Sequence, residues 1–291
     1  MDTTVIKTQI VADDGYVISA LVLIADSEAS GSVILSSATS IKKEYYLKFA
    51  EQLVAHGFNV ILFDYRGIGE SAPPSFKKSE ILMHEWGTKD MNAIHDYVIS
   101  EFGTTNIIWL GHSVGAQLVG FLKRPQYIEK VISINAALGY WGYFPFPMNC
   151  VVWVLWYAIY PLMMTVYGYG TMRKIGWGED LPPLVLAEWR KWCTNKNYYG
   201  PLLKKELKSD TFSEFRRPIT FMYTSDDYIA NDRTVPLMAQ FFPNSPSEVI
   251  KINVKKFTKD KVGHAGIFRK KFEESLWPVL FTLISDTGKA L

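Results

Sequence analysis

Short apolar runs alternate with stretches of helical spacing over residues 5–134 and again from Pro218 onward, and this constrains the fold more than any other feature. Residues 5–11 and 16–24 read as two strands joined at Asp13-Asp14-Gly15, a hairpin signal. The apolar runs 32–35, 59–63, 106–110 and 131–134 suit buried strands. Between them, Tyr46, Phe49, Ala50, Leu53 and Val54 recur at helical spacing up to a stop at Gly57, and residues 91–102 are amphipathic up to Gly103. A further helix is expected over 114–122. Beyond Pro218 the spacing predicts a strand at 219–223, a helix over 235–242, a strand near 249–254 and a final helix over 268–284. Such alternation requires helices on both faces of a sheet, so the expected class is α/β with a mainly parallel sheet flanked by helices.

A different kind of segment separates the two halves. Residues 131–172 contain no Asp, Glu, Lys or Arg, and 140–169 is dense in Trp, Tyr and Phe. Residues 150–166 pass a crude length test for a membrane helix. Against that reading, Pro161 interrupts the run, and no matching segment would carry the chain back across a bilayer. The expectation is an inserted helical, aromatic-rich cap over 137–214, lining a cavity or packing on a core formed by 1–136 and 215–291. Gly168-Tyr169-Gly170 and Gly176-Trp177-Gly178 are candidate hinges.

A formal net charge of +2 gives no electrostatic footprint for nucleic acid. Cys150 and Cys193 lack metal-ligand spacing, so neither a zinc site nor a disulfide framework is expected. The opening MDTTVIKTQIVADDG has no basic stretch followed by an apolar core, and the expected location is the cytoplasm.

Gly111-His112-Ser113-Val114-Gly115 ends an expected strand and opens an expected helix, the context in which G-x-S-x-G is informative. A sharp turn there lifts the Ser113 hydroxyl clear of the sheet, with glycines removing side chains that would collide. It also aims the Val114 N–H, at a helix N-terminus, toward a developing oxyanion. A hydroxyl needs a general base. Of five histidines, His56 and His95 read as structural or surface residues, and His84 lies in a polar connection. His112 should point away from Ser113. His264, in Val262-Gly263-His264-Ala265-Gly266 after the last strand, is the candidate base. The acid that orients it comes from Asp226-Asp227, directly after the strand at 219–223. Only one of the two can face the histidine. The order Ser113, Asp, His264 is that of α/β-hydrolases.

With these residues the sequence resembles the α/β-hydrolase superfamily, serine-nucleophile branch. Asp64-Tyr65-Arg66-Gly67-Ile68-Gly69-Glu70-Ser71 is similar to that family's D-x-R-G-x-G-x-S turn, which is architectural, so Asp64 and Arg66 receive no catalytic role. Asp227-Tyr228-Ile229-Ala230 is similar to its D-x-[IV]-x-P at the acid position, favouring Asp227 over Asp226, although Asn231 replaces the proline. Gly178-Glu179-Asp180-Leu181-Pro182 and Glu188-Trp189-Arg190-Lys191-Trp192-Cys193 resemble a bacterial group of aminopeptidase- and lysophospholipase-like α/β-hydrolases. Many relatives carry His-Gly after the third strand, where the loop supplies the second oxyanion N–H. Here the loop reads Ser36-Ser37-Ala38-Thr39-Ser40, which makes Thr39 the expected donor, with Ala38 next.

The resemblance implies a serine hydrolase working by acyl transfer, with catalytic Ser113, Asp227 and His264, and Val114 and Thr39 forming the oxyanion hole. No metal or organic cofactor is implied. Trp141, Tyr143, Phe144, Trp153, Trp156 and Tyr157 would give an apolar ceiling suited to an acyl ester, with Trp141, Phe144, Trp153 and Trp156 as substrate contacts. A carboxylesterase or lipase-like enzyme leads, thioesterase and aminopeptidase activities share the same triad, and a non-catalytic binder of an apolar ligand is the other class. Contact of the cap with a membrane surface is a further expectation.

Overall fold

In the computed structural model, which describes residues 4–25 and 28–286, one sheet of eight strands crosses the molecule in the order β1-β2-β4-β3-β5-β6-β7-β8. Residues 1–3, 26–27 and 287–291 of the expected core lie outside the described residues. The strands are Val5–Val11 (β1), Val17–Leu23 (β2), Gly31–Ser36 (β3), Phe58–Phe63 (β4), Ile107–His112 (β5), Ile128–Ile134 (β6), Ile219–Thr224 (β7) and Ser247–Ile252 (β8). β1 and β2 form the antiparallel hairpin, β2 pairs antiparallel with β4, and every other pairing is parallel.

Alternation along each central strand divides the core in two. Ile34, Ile61, Trp109 and Val131 face one side, with Met91, Ile94 and Val98 of helix α2 (Met91–Phe102). Val33, Val60, Ile108 and Ile132 face the other, covered by α1 (Leu47–Ala55) and α7 (Trp277–Ser285). Burial on both faces explains why these strands are near-continuous apolar runs.

Two helices are much shorter than their spacing predicts, and the one expected over 235–242 ends at Ala239. α3 spans only Val114–Gln117, and Leu118 leaves helical geometry at φ −97°, ψ 3°. Gly115, Gly120 and the β-branched Val114 and Val119 give this stretch little intrinsic helix preference. At the C-terminal end, two tight turns at Gly266–Phe268 and Lys270–Phe272 precede α7. Pro278 has no N–H and fits only a first helical turn, which sets the start of α7 at Trp277.

Between β6 and β7 the elements are helical. The longest is α4 (Met148–Val166), followed by α5 (Pro183–Cys193); α6 (Thr234–Ala239) comes after β7. Pro161 does not interrupt α4. A widened turn over Leu155–Ile159 leads into it and relieves the clash of the proline ring with the carbonyl four residues before. Val152, Leu155, Trp156 and Met163 of α4 join the same apolar cluster as the first sheet face. His84 fastens this region to the rest, its backbone N–H and Nδ1 reaching the Glu188 carboxylate of α5 at 2.9 and 2.8 Å.

Candidate active site

Ser113 sits at the C-terminal end of β5 with φ 53° and ψ −118°, a backbone state that serine seldom adopts. The turn closes only because its flanks are glycines. A Cβ on Gly111 would lie 2.5 Å from the Ala116 backbone, and one on Gly115 would lie 2.3 Å from the Ser36 carbonyl. The Ser36 hydroxyl donates to the Gly115 carbonyl at 2.8 Å and Trp109 Nε1 donates to Ser36 Oγ at 2.8 Å, fixing the turn against the end of β3.

His264 Nε2 lies 3.0 Å from Ser113 Oγ, and its Nδ1 lies 2.7 Å from Asp227 Oδ2. The Asp227 side chain is fully enclosed, and its other oxygen accepts the Ile229 N–H at 2.8 Å. Asp226 does something different. Its carboxylate accepts the N–H groups of Val262 and Gly263 at 2.8 and 3.1 Å, holding the loop that carries His264. The two adjacent acids therefore divide the work, one facing the imidazole and one anchoring its backbone.

The N–H of Val114, at the first position of α3, makes no hydrogen bond among the described residues, and neither does that of Thr39. Ala38 is committed elsewhere, since its N–H donates to Tyr46 Oη at 3.0 Å. Lys43 Nζ meets Asp64 Oδ2 at 2.6 Å inside the protein, and the Lys43 N–H donates to Asp64 Oδ1, so Asp64 pins the end of this loop. Arg66 pairs with buried Asp90 at 2.6 Å and with Asp14 at 2.8 Å.

Three residues of the site lay beyond the sequence reading. Asn135 donates to the His264 carbonyl at 2.7 Å and accepts the Thr224 N–H at 3.0 Å, tying the ends of β6 and β7 to the histidine loop. Its sequence signal is a lone amide closing an apolar strand. Tyr46 and His112 meet beneath the elbow, with Tyr46 Oη 2.7 Å from His112 Nδ1 and His112 Nε2 2.9 Å from the His264 carbonyl. Burial pushes His112 down to about 3, so the ring is neutral. Its contacts assign the proton to Nε2, with Nδ1 accepting from Tyr46.

Above Ser113 and His264 opens a cavity of about 710 Å³, lined by Thr39, Ser40, Phe144, Val152, Trp156 and Tyr198 among others. Such a volume suits a small apolar ligand. Of the four expected substrate contacts, Phe144 and Trp156 line the cavity, whereas Trp141 and Trp153 do not. Val152 and Trp156 are one helical turn apart and share the inner face of α4, so Trp153 is rotated outward and is 45% exposed. Trp141 packs edge-on against Tyr157, 6.4 Å between ring centres. Trp177, Trp189 and Cys193 take the places left to them.

A family model described as the alpha/beta hydrolase fold matches residues 38–159. An esterase of Pyrococcus furiosus superposes with a TM-score of 0.60 at 14% identity, covering 97% of this chain and 90% of that one. An esterase from Exiguobacterium antarcticum gives 0.59 at 18% identity, covering 97% and 100%. The thioesterase domain from the curacin biosynthetic pathway gives 0.58 at 14% identity, also covering 97% and 100%. No curated protein matches the sequence. With this strand order, the chain has the α/β-hydrolase fold.

Proposed function

We propose that the protein is a serine hydrolase that cleaves carboxylic esters of apolar acyl groups, an esterase or lipase-like enzyme. His264, with Nδ1–H donated to Asp227, presents a basic Nε2 to the Ser113 hydroxyl. As Ser113 Oγ attacks the ester carbonyl, its proton moves to Nε2, and Asp227 stabilises the resulting imidazolium. The N–H groups of Val114 and Thr39 hold the negative oxygen of the tetrahedral intermediate. Collapse expels the alcohol, which takes the proton from Nε2. Water then attacks the acyl carbonyl as His264 Nε2 takes its proton, the bond to Ser113 Oγ breaks, Oγ recovers the proton from Nε2, and the acid leaves. A thioester would follow the same steps.

The observation that carries this reading is the unbroken line Asp227 Oδ2–His264–Ser113 Oγ, at 2.7 and 3.0 Å, opening into an apolar-walled cavity. Its test is labelling by a fluorophosphonate. The wild-type protein should be labelled stoichiometrically and the Ser113→Ala variant not at all; an unlabelled wild type, beside a control esterase that reacts, would overturn it. Rates on p-nitrophenyl esters should rise from acetate to medium-chain acyl groups, and activity confined to acetate would contradict the assignment of the cavity to the acyl chain.

A further inference from the structure

We propose that the outer face of α4 docks on an anionic lipid bilayer, so that the protein works at a membrane surface. The purpose of docking rests on the hydrolase reading, but the docking itself does not. α4 is 19 residues long with a mean hydropathy of 1.5, yet only 22% of its apolar window is buried. The opposite of its inner face carries Val151, Val154, Leu162 and Val166, exposed by 48, 42, 63 and 57%, and Phe146 just before it is 80% exposed. A helix apolar on all sides belongs in a core or in lipid, and this one is half outside the core.

Three observations select lipid as the occupant. First, Lys77 and Lys174 stand exposed near the C-terminal end of α4. Lys77 carbons come within 3.6 Å of the position of a Gly168 Cβ, and Lys174 Nζ sits 3.9 Å over the Tyr167 ring. Basic side chains at that edge complement anionic headgroups. α4 itself carries no carboxylate to pair with them across a self-complementary contact with a second copy. Second, Trp153 and Tyr157 lie tilted against each other on the helix flank, ring centres 5.3 Å apart and 45 and 42% exposed, the amphipathic rings that favour the headgroup level. Third, the helix must lie flat rather than span. Its inner face is packed, and Arg190 Nε donates to the Trp156 carbonyl at 2.8 Å while its guanidinium covers the Tyr160 ring at 4.9 Å. The outer face is then in lipid while Val152 and Trp156 line the cavity, so an acyl chain leaving the bilayer has about one helix diameter to cross.

The test is sedimentation of the Ser113→Ala protein, which turns over nothing, with vesicles of phosphatidylcholine containing phosphatidylglycerol. It should pellet with them and be released by high salt. The double variants Leu162→Glu with Val166→Glu, and Lys77→Glu with Lys174→Glu, should each weaken binding roughly tenfold or more. The first pair should hydrolyse a soluble short-chain ester at the wild-type rate. Retention in the supernatant, or binding indifferent to both pairs, overturns the proposal. So does a dimer that Leu162→Glu with Val166→Glu dissolves, which would make a second copy the occupant, or resistance to carbonate extraction, which would mean insertion. Vesicle binding by a wild type that a fluorophosphonate does not label would instead sink the hydrolase reading alone.

Discussion

Tyr46 Oη stands 2.7 Å from His112 Nδ1, and through that contact the two loops flanking Ser113 become one hydrogen-bonded unit. The Ala38 N–H donates to Tyr46, Tyr46 donates to His112, and His112 donates to the His264 carbonyl. The loop holding the Thr39 N–H and the loop holding the imidazole thus share a buried brace beneath Ser113.

Removing the Tyr46 hydroxyl should loosen that brace without touching substrate. Tyr46→Phe leaves the Ala38 N–H and His112 Nδ1 unpaired in the interior, at a cost of about 1–3 kcal/mol in stability. The expected kinetic effect is a fall in kcat of roughly tenfold with KM little changed, since the lost ordering matters when the oxyanion forms. Steady-state kinetics on a p-nitrophenyl ester and urea unfolding of the same variant check both parts. A rise in KM with kcat intact would contradict it.

The two acids at 226 and 227 should separate in the same assay. Asp227→Asn keeps the shape but loses the charge facing His264 Nδ1, and kcat is expected to drop about 10⁴-fold. Asp226→Asn weakens two hydrogen bonds to the 262–263 backbone, so the melting temperature should fall while kcat changes by less than about tenfold. Equal losses of kcat would show that the division of labour is wrong.

Gly178 joins the region above the site to the loop of Thr39. At φ +97° its absent Cβ would lie 2.2 Å from the Ser40 carbonyl, and the next N–H, of Glu179, donates to that carbonyl at 2.7 Å. Gly178→Ala should therefore push Ser40 away and carry Thr39 with it. A reduction in kcat on the order of 10–10² is expected, up to the loss of one oxyanion donor. Fluorophosphonate labelling should slow in parallel. A variant with wild-type kcat would mean that Ser40 does not position Thr39.

The central strands were legible because burial on both faces turns each into an apolar run with little ambiguity. Ser113 was legible because Gly111 and Gly115 are demanded by backbone contacts within a few residues or to the next strand. Asp227 and His264 could be placed near one another because each follows a strand that ends at the same edge of the sheet. Asn135, Tyr46 and the use made of His112 were not legible, since the contacts that join them to one another or to the His264 loop span 66 to 152 residues of chain. The azimuth of α4 was hidden for another reason. A segment apolar on every side has no polar face to fix its phase, so Trp153 and Trp156 read alike while only Trp156 turns inward. The length of α7 was overestimated because spacing alone ignored the missing N–H of Pro278.

Acid should unfold this protein through its buried imidazoles. Burial pushes His95 down to about 4 and His112 to about 3, against about 6.5 for an unfolded histidine. As pH falls through about 6.5, the unfolded chain takes up protons that the folded chain refuses. Stability is therefore full above that pH and declines below it, by up to about 1.4 kcal/mol per pH unit for each ring until its folded value is reached. His95 has both ring nitrogens unpartnered among the described residues and meets Trp109 edge-on, 6.3 Å between ring centres. His95→Phe keeps that ring contact and removes one of the two titrations. At neutral pH the variant should be as stable as the parent or more so, because two buried unpaired nitrogens are gone. Urea unfolding between about pH 4.5 and 7 should show the decline reduced by about one proton. A pH profile parallel to that of the parent would mean that His95 is not a source of acid sensitivity.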